Sequence, residues 1–341
     1  MNSRVQEYDL LRIISFFLIL IHHCINELAS KDGYHDWMSN LFTGGVGVSF
    51  FILLSGGSLA ITQKNSSILG FYRKRLSSIL PQYWVAYFTV LLTLFVIDGS
   101  MAMGDNIYKI MLSIVAMDGY LGSTVNTYYL IGEWFTGFIL ILYIVSPLLI
   151  RLVKEKPATT FFITLLVSYA SVALSDYIVS CFPVWNKVPL WNPSSRVAEF
   201  FLGMMIGVYL LKKNKAHLIA AILSMLYIVI VTQVLKQSFL QFSLLGCSLC
   251  AALYIVLIYA LGKVKLSERV MGIISFLSQN SFMAFLFHHQ IIILLVRKVT
   301  VDTTSASGFI YVFFVAGALS YLMAYVCQKP VIHLRKLVFG M

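Results

Sequence analysis

Charge is what this sequence has least of. Only 11% of its 341 residues are Asp, Glu, Lys or Arg, and the 14 acids are outnumbered by 25 basic residues. Soluble domains carry roughly 25% charged residues. So sparse a complement, with 59% hydrophobic residues and a mean hydropathy of +0.85, excludes an ordinary water-soluble fold. Proline is also scarce, at seven residues, which leaves long apolar runs uninterrupted. The five cysteines, Cys24, Cys181, Cys247, Cys250 and Cys327, lie mostly inside those runs. Cys247 and Cys250 form one CxxC without a second pair, so neither a disulfide framework nor a metal site is expected. Internal repeats and low-complexity tracts are missing, and no appended soluble domain is expected. Nor does a short apolar core with a small-residue cleavage site open the chain, so the first apolar stretch is expected to be retained.

What is present is a series of apolar stretches long enough to be membrane helices. They fall at 8–28, 44–62, 80–97, 130–150, 159–180, 196–211, 217–235, 239–262, 280–298 and 307–328. The expected fold is an all-α polytopic integral membrane protein, about ten transmembrane helices around a central cavity, as one domain over residues 1–341. The net charge of +11 could suggest nucleic-acid binding, but its distribution does not. One set of inter-span segments holds 17 basic residues, from Arg4 through Arg73, Arg151, Lys212 and Lys263 to Lys336. The alternate set holds seven, with most of the acids. That asymmetry places both termini in the cytoplasm.

The first span, YDLLRIISFFLILIHHCINE from Tyr8 to Glu27, carries the most informative polar residues. An ionisable group inside a membrane span faces a protein interior or a wet cavity. Eleven residues separate Arg12 from His23, which puts them within about 20° of one helix face and about 16 Å apart along the axis. His22 falls about 80° to the other side of Arg12. Asp9, three residues before Arg12, can pair with it.

Other constellations follow in chain order. In GGVGVSFFILLSGG, Gly44 to Gly57, the glycines allow close helix approach, or Ser55 and Gly56 break the helix and expose amides to an anion. Tyr72-Arg73-Lys74-Arg75 precedes Pro81, which would start the third span. The cations serve there as a membrane anchor or as a phosphate site. Glu133 and Trp134 stand near the outer end of the fourth span, and Arg196 pairs with Glu199 at (i, i+3) in the sixth. His288 and His289 lie deep in the ninth. The long outer loop 98–129 holds NIYKIMLSIVAM, a candidate surface helix. The loop CFPVWNKVPLWNPSS, 181–195, offers either an interfacial aromatic belt or a sugar-stacking platform.

In this order the motifs resemble the membrane-bound acyltransferase-3 family, whose members O-acylate bacterial surface polysaccharides and related glycans. Asp9-Leu10-Leu11-Arg12 followed by His23 is similar to the family's opening signature, and Phe50-Phe51 through Ser55-Gly56 to its FFxxSG element. Phe71 through Arg75 with Pro81 and Tyr83-Trp84, then Trp134-Phe135 with Tyr143 and Pro147, also match. So do Arg196 with Glu199-Phe200 and Gly203, Leu286-Phe287-His288, and the closing Lys329-Pro330. Gly57 stands where the family often has an aromatic, and Gln290 where it commonly has proline.

The resemblance implies an acyltransferase of the cell membrane. Its donor would be acetyl-coenzyme A or another acyl-CoA, and its acceptor a polysaccharide or lipid-linked glycan, capsule or exopolysaccharide above all. His23 would be the base, with Arg12, Asp9 and Glu133 as catalytic partners. Tyr72, Arg73, Lys74, Arg75, Ser55 and Gly56 would hold the donor. His22, Trp134, Arg196, Glu199, His288 and His289 would contact the acceptor. The alternative class is a transporter or flippase for a glycan or small anion, which intramembrane histidines and Gly-rich helices also suit.

Overall fold

The computed structural model describes residues 5–32, 43–63, 67–99, 107–128, 130–131, 134–182, 184–209, 215–234, 244–303 and 305–341. Among these every regular element is a helix. In chain order they are α1 (Gln6–Asp32), α2 (Thr43–Thr62), α3 (Ile68–Asp98), α4 (Ile110–Ile114), α5 (Asp118–Leu121), α6 (Phe135–Glu155) and α7 (Pro157–Ala173). Then come α8 (Ser175–Cys181), α9 (Val197–Tyr209), α10 (Lys215–Val234), α11 (Leu244–Leu261), α12 (Glu268–Lys298), α13 (Ala306–Val326) and α14 (Gln328–Phe339).

A helix stands at each of the ten predicted stretches, but the expected span count is corrected. Six described helices are long and apolar enough to cross a membrane, or seven if α7 and α8, bent by 72° at their junction, form one span. The reason is length. With 13 residues α9 rises about 20 Å, against a hydrocarbon core of about 30 Å. Among the described residues α10 and α11 contribute shorter apolar stretches, Lys215–Ile230 and Gly246–Leu261.

Two predicted starts are also corrected. The third span does not begin at Pro81: α3 opens thirteen residues earlier, at Ile68, and takes the Arg73–Arg75 run into its first turns. Its start is fixed by Ser67, whose side chain accepts from the Gly70 amide, and its end by Gly99 in the left-handed conformation. Likewise α12 begins at Glu268, twelve residues before the predicted 280.

The described chain forms two compact units. The first takes residues 1–64, 148–169 and 196–279. Its core joins Tyr8 and Leu11 of α1, Phe50, Leu53 and Leu54 of α2, Ile206 of α9, and Ala251, Tyr254 and Ile258 of α11. Helices α2 and α9 meet almost backbone to backbone. A Cβ on Gly56 would stand 2.1 Å from the Phe200 carbonyl oxygen, and one on Gly203 2.3 Å from that of Leu53. Only glycine permits that approach. The helix runs unbroken through Ser55 and Gly56, so of the two readings of this motif the structure takes close packing over a helix break.

The second unit takes residues 65–147, 170–195 and 280–341. Here the predicted surface helix in 98–129 is found as one helical turn and a short helix, 107–109 and α4, followed by α5 beyond it. Tyr108, Met111, Ile114 and Val115 present an exposed apolar edge, and Trp84 holds the segment by donating to the Ile114 carbonyl at 2.7 Å.

Candidate functional site

The first-helix constellation forms within the first unit. Helix α1 is continuous, so Arg12 and His23 keep the shared face and the separation of about 16 Å that their spacing dictates. Asp9 and Glu7 sit in its first turn, where carboxylates complement the helix dipole. Around Arg12 a three-membered polar cluster closes. Ser278 of α12 donates to Asp9 Oδ1 at 2.6 Å and accepts from Arg12 Nη1 at 3.0 Å. Arg12 and Asp9 themselves stand 3.5 Å apart. Asp9 and Ser278 are buried, whereas the Arg12 side chain keeps 31% of its exposure. The result is an oriented cation with an accessible guanidinium. Sequence reasoning missed Ser278, which lies 266 residues from Arg12. It stands among Ser275, Gln279, Asn280 and Ser281, a polar stretch in which nothing local singles it out.

His22 and His23 are both half-buried, their rings edge to face at 5.3 Å. His22 Nε2 pairs with Asn26 at 3.1 Å and packs on Gly44, where a Cβ would come within 2.5 Å of the ring. The imidazole on the Arg12 face is His23, and His22 packs against Gly44 of α2.

Arg196 and Glu199, also in the first unit, form a buried clamp. Arg196 Nε donates to Glu199 Oε2 at 2.8 Å, and its Nη2 donates to Ser49 of α2 at 2.6 Å. The exposures are 4% for Arg196 and 6% for Glu199. Cys247 and Cys250, at (i, i+3) on one face of α11, lie near Arg196.

In the second unit the basic run is engaged by its own surroundings. Tyr72 donates to the Ile144 carbonyl at 2.6 Å. Arg73 Nε donates to the Phe339 carbonyl at 3.1 Å, closing the C-terminus of α14. Arg75 lies over the Phe71 ring at 5.8 Å, and Lys74 is exposed. Trp134 stacks on Trp191 at 5.1 Å and 11°, with Phe138 edge-on at 5.3 Å. Trp134 is thus the inner half of a two-indole stack and Trp191 its partly exposed half. His288 is fully buried, its Nδ1 on the Phe285 carbonyl, while His289 is half-buried beside it. Glu133 lies outside the described residues.

Two further networks in this unit escaped the sequence. Asp118 is completely buried, with Tyr83 donating to one carboxylate oxygen and Ser113 to the other at 3.1 Å. Burial pushes its carboxyl above the usual range, outweighing those hydrogen bonds. Asn192 and Asn186 stitch the proline-rich loop together. Asn192 Oδ1 accepts from the Asn186 amide and from Tyr120, and its Nδ2 donates back to the Asn186 carbonyl. Asp118 read as an ordinary loop acid, and the asparagines as turn residues.

Regular elements that are all helices among the described residues, several of them apolar spans, with a part-buried cation–carboxylate–hydroxyl cluster within one unit, define a multi-pass membrane protein with a polar site. The family follows from comparison: the family model described as "Acyltransferase domain" matches residues 5–329, essentially the whole chain. The protein belongs to this acyltransferase-3 family. No curated protein and no solved structure was found to match.

Proposed function

We propose that this membrane acyltransferase moves an acyl group, acetyl foremost, from cytoplasmic acyl-CoA to a hydroxyl of a bacterial cell-surface or capsular polysaccharide or its precursor. His23 removes the proton from the acceptor hydroxyl as its oxygen attacks the thioester carbonyl. The tetrahedral intermediate collapses, the carbon–sulfur bond breaks, and the imidazolium returns the proton to the departing thiolate. Arg12 stabilises negative charge on the donor or at the reacting carbonyl. Asp9 and Ser278 hold its guanidinium in place. Arg75 and Lys74 contribute to the donor's phosphate contacts, and Trp191, over Trp134, is a surface for a sugar ring. Both termini are cytoplasmic, as the basic-residue asymmetry requires.

The observation that carries this reading is the oriented Arg12 on the same helix face as His23, in a chain of the acyltransferase-3 family. The test is acetyl-CoA binding and acyl transfer by the purified protein, wild type against His23→Ala. The expected result is retained binding with transfer reduced about 100-fold or more. Full transfer by the variant would remove His23 from the mechanism. No acetyl-CoA binding by the wild type would favour a transporter, with His23 in a proton path.

A further inference from the structure

We propose that α14 is an interfacial helix whose basic face binds the anionic phospholipid headgroups of the leaflet at which α13 ends. The placement follows from its two ends. It starts at Gln328, a single residue beyond α13, so its first turn stands at a membrane surface. Its far end is fastened to α3. Phe339 stacks on Trp84 at 6.4 Å and 15°, Arg73 donates to the Phe339 carbonyl, and Ser77 donates to Met341 Sδ at 3.3 Å. With 31 residues α3 is about 46 Å long, so about ten residues overhang the hydrocarbon core. Its charged opening turns, 68–77, are the part that overhangs. Through Arg73 and Ser77, α14 therefore joins the end of one span to the overhanging end of another, which keeps its cationic face at headgroup level, while Phe339 reaches Trp84 two turns further along α3.

Its exposed surface has the chemistry of that layer. None of its residues is buried. Lys329, His333 and Lys336 recur at i, i+4 and i+7, which puts them on one face, and all three are exposed. Ile332 and Leu337, 53% and 74% exposed, flank that face on either side. A cationic centre with apolar shoulders is the pattern of a helix that sinks its flanks among acyl chains and meets phosphates with its lysines. No Asp or Glu occurs in α14 or in residues 64–97, so no carboxylate in either segment competes for these cations.

The experiment uses the full-length protein in detergent with phosphatidylglycerol or phosphatidylcholine added, and native mass spectrometry to count bound lipids. The wild type should retain phosphatidylglycerol over phosphatidylcholine. Lys329→Gln/Lys336→Gln should lower the phosphatidylglycerol adducts by about fivefold per lysine and leave phosphatidylcholine unchanged. Leu337→Asp, which removes an apolar shoulder and spares the cations, should lower them too. Lys154→Gln/Lys156→Gln, on a separate exposed basic segment, should not. Equal phosphatidylglycerol retention by the Lys329/Lys336 variant and the wild type would overturn the proposal. Displacement of the lipid by millimolar inorganic phosphate would overturn it as well, assigning the face to a soluble phosphate.

Discussion

Ser278 donates to Asp9 at 2.6 Å while accepting from Arg12 at 3.0 Å, so one hydroxyl holds the guanidinium and the carboxylate at their 3.5 Å separation. Without it the guanidinium would be drawn onto Asp9, and its charge would turn away from any ligand. Ser278→Ala is expected to raise the KM for the acyl donor about tenfold, the scale of one hydrogen bond to a charged group, with a smaller effect on kcat. Ser278→Thr keeps the hydroxyl and should restore most of the loss. Steady-state kinetics decide it: a threonine variant as impaired as alanine would mean that Ser278 acts through packing and not through its hydroxyl.

Of the adjacent histidines, His22 is the one tied to Asn26 and to Gly44. His22→Ala should therefore cost stability more than chemistry. The expectation is a lower melting temperature in detergent, with transfer per folded molecule within about threefold of wild type, far from the loss of 100-fold or more expected when a general base is removed. If transfer collapsed in His22→Ala while His23→Ala stayed active, the assignment of the base would be reversed.

The Arg196–Glu199–Ser49 clamp predicts a non-additive stability series. Removing one partner leaves the other as an uncompensated buried charge, so Glu199→Ala should destabilise by about 3–5 kcal/mol. The double replacement Arg196→Met/Glu199→Leu should be less harmful than the sum of the single changes. Denaturant titration in detergent measures both. Strict additivity would show that the two side chains do not act as a pair.

Asp118 supplies a pH dependence with a definite sign. Its native carboxyl holds the proton more tightly than the unfolded one, so its favourable contribution is full below the ordinary carboxylate pKa, about 3.9. That contribution is lost as pH rises through the elevated native value. Asp118→Asn keeps an acceptor for Tyr83 and a donor for Ser113 but cannot ionise. The melting temperature of the variant minus that of the wild type should therefore grow as pH is raised from about 4 towards neutrality. A difference independent of pH would refute the elevated carboxyl. Asp118→Ala, which leaves the buried Tyr83 hydroxyl without its acceptor, should lose about 1–3 kcal/mol.

Asn192 ties the proline-rich loop to Tyr120 by accepting from its hydroxyl, and within the loop it accepts from the Asn186 amide and donates to the Asn186 carbonyl. Asn192→Ala should release the loop at a cost of about 2–4 kcal/mol, because buried donors and acceptors then lack partners. Faster proteolysis within 181–195 would report it. Unchanged proteolysis would mean that the stacked Trp134 and Trp191 suffice.

How much of this was legible beforehand depends on the range of the interaction. Composition, apolar run length and helical spacing are local properties. The sequence by itself therefore determined the all-helical membrane class, the position of ten helical segments, the Arg12–His23 line and the Arg196–Glu199 pair. It also carried the family, because ordered short motifs survive in one dimension. Span count and helix starts were less legible. The extension of α3 ahead of Pro81, capped by Ser67, takes in the charged run 73–75, which no window of hydropathy joins to the apolar stretch that follows. Only the tertiary structure brought Ser278 to Arg12, Ser49 to Arg196, Tyr83 to Asp118 and Asn192 to Tyr120, partners separated by 35 to 266 residues. Nothing in a local pattern selects which distant hydroxyl or amide satisfies a buried charge. The cost of burying a polar group without a partner makes such pairings obligatory, but the fold chooses the partner.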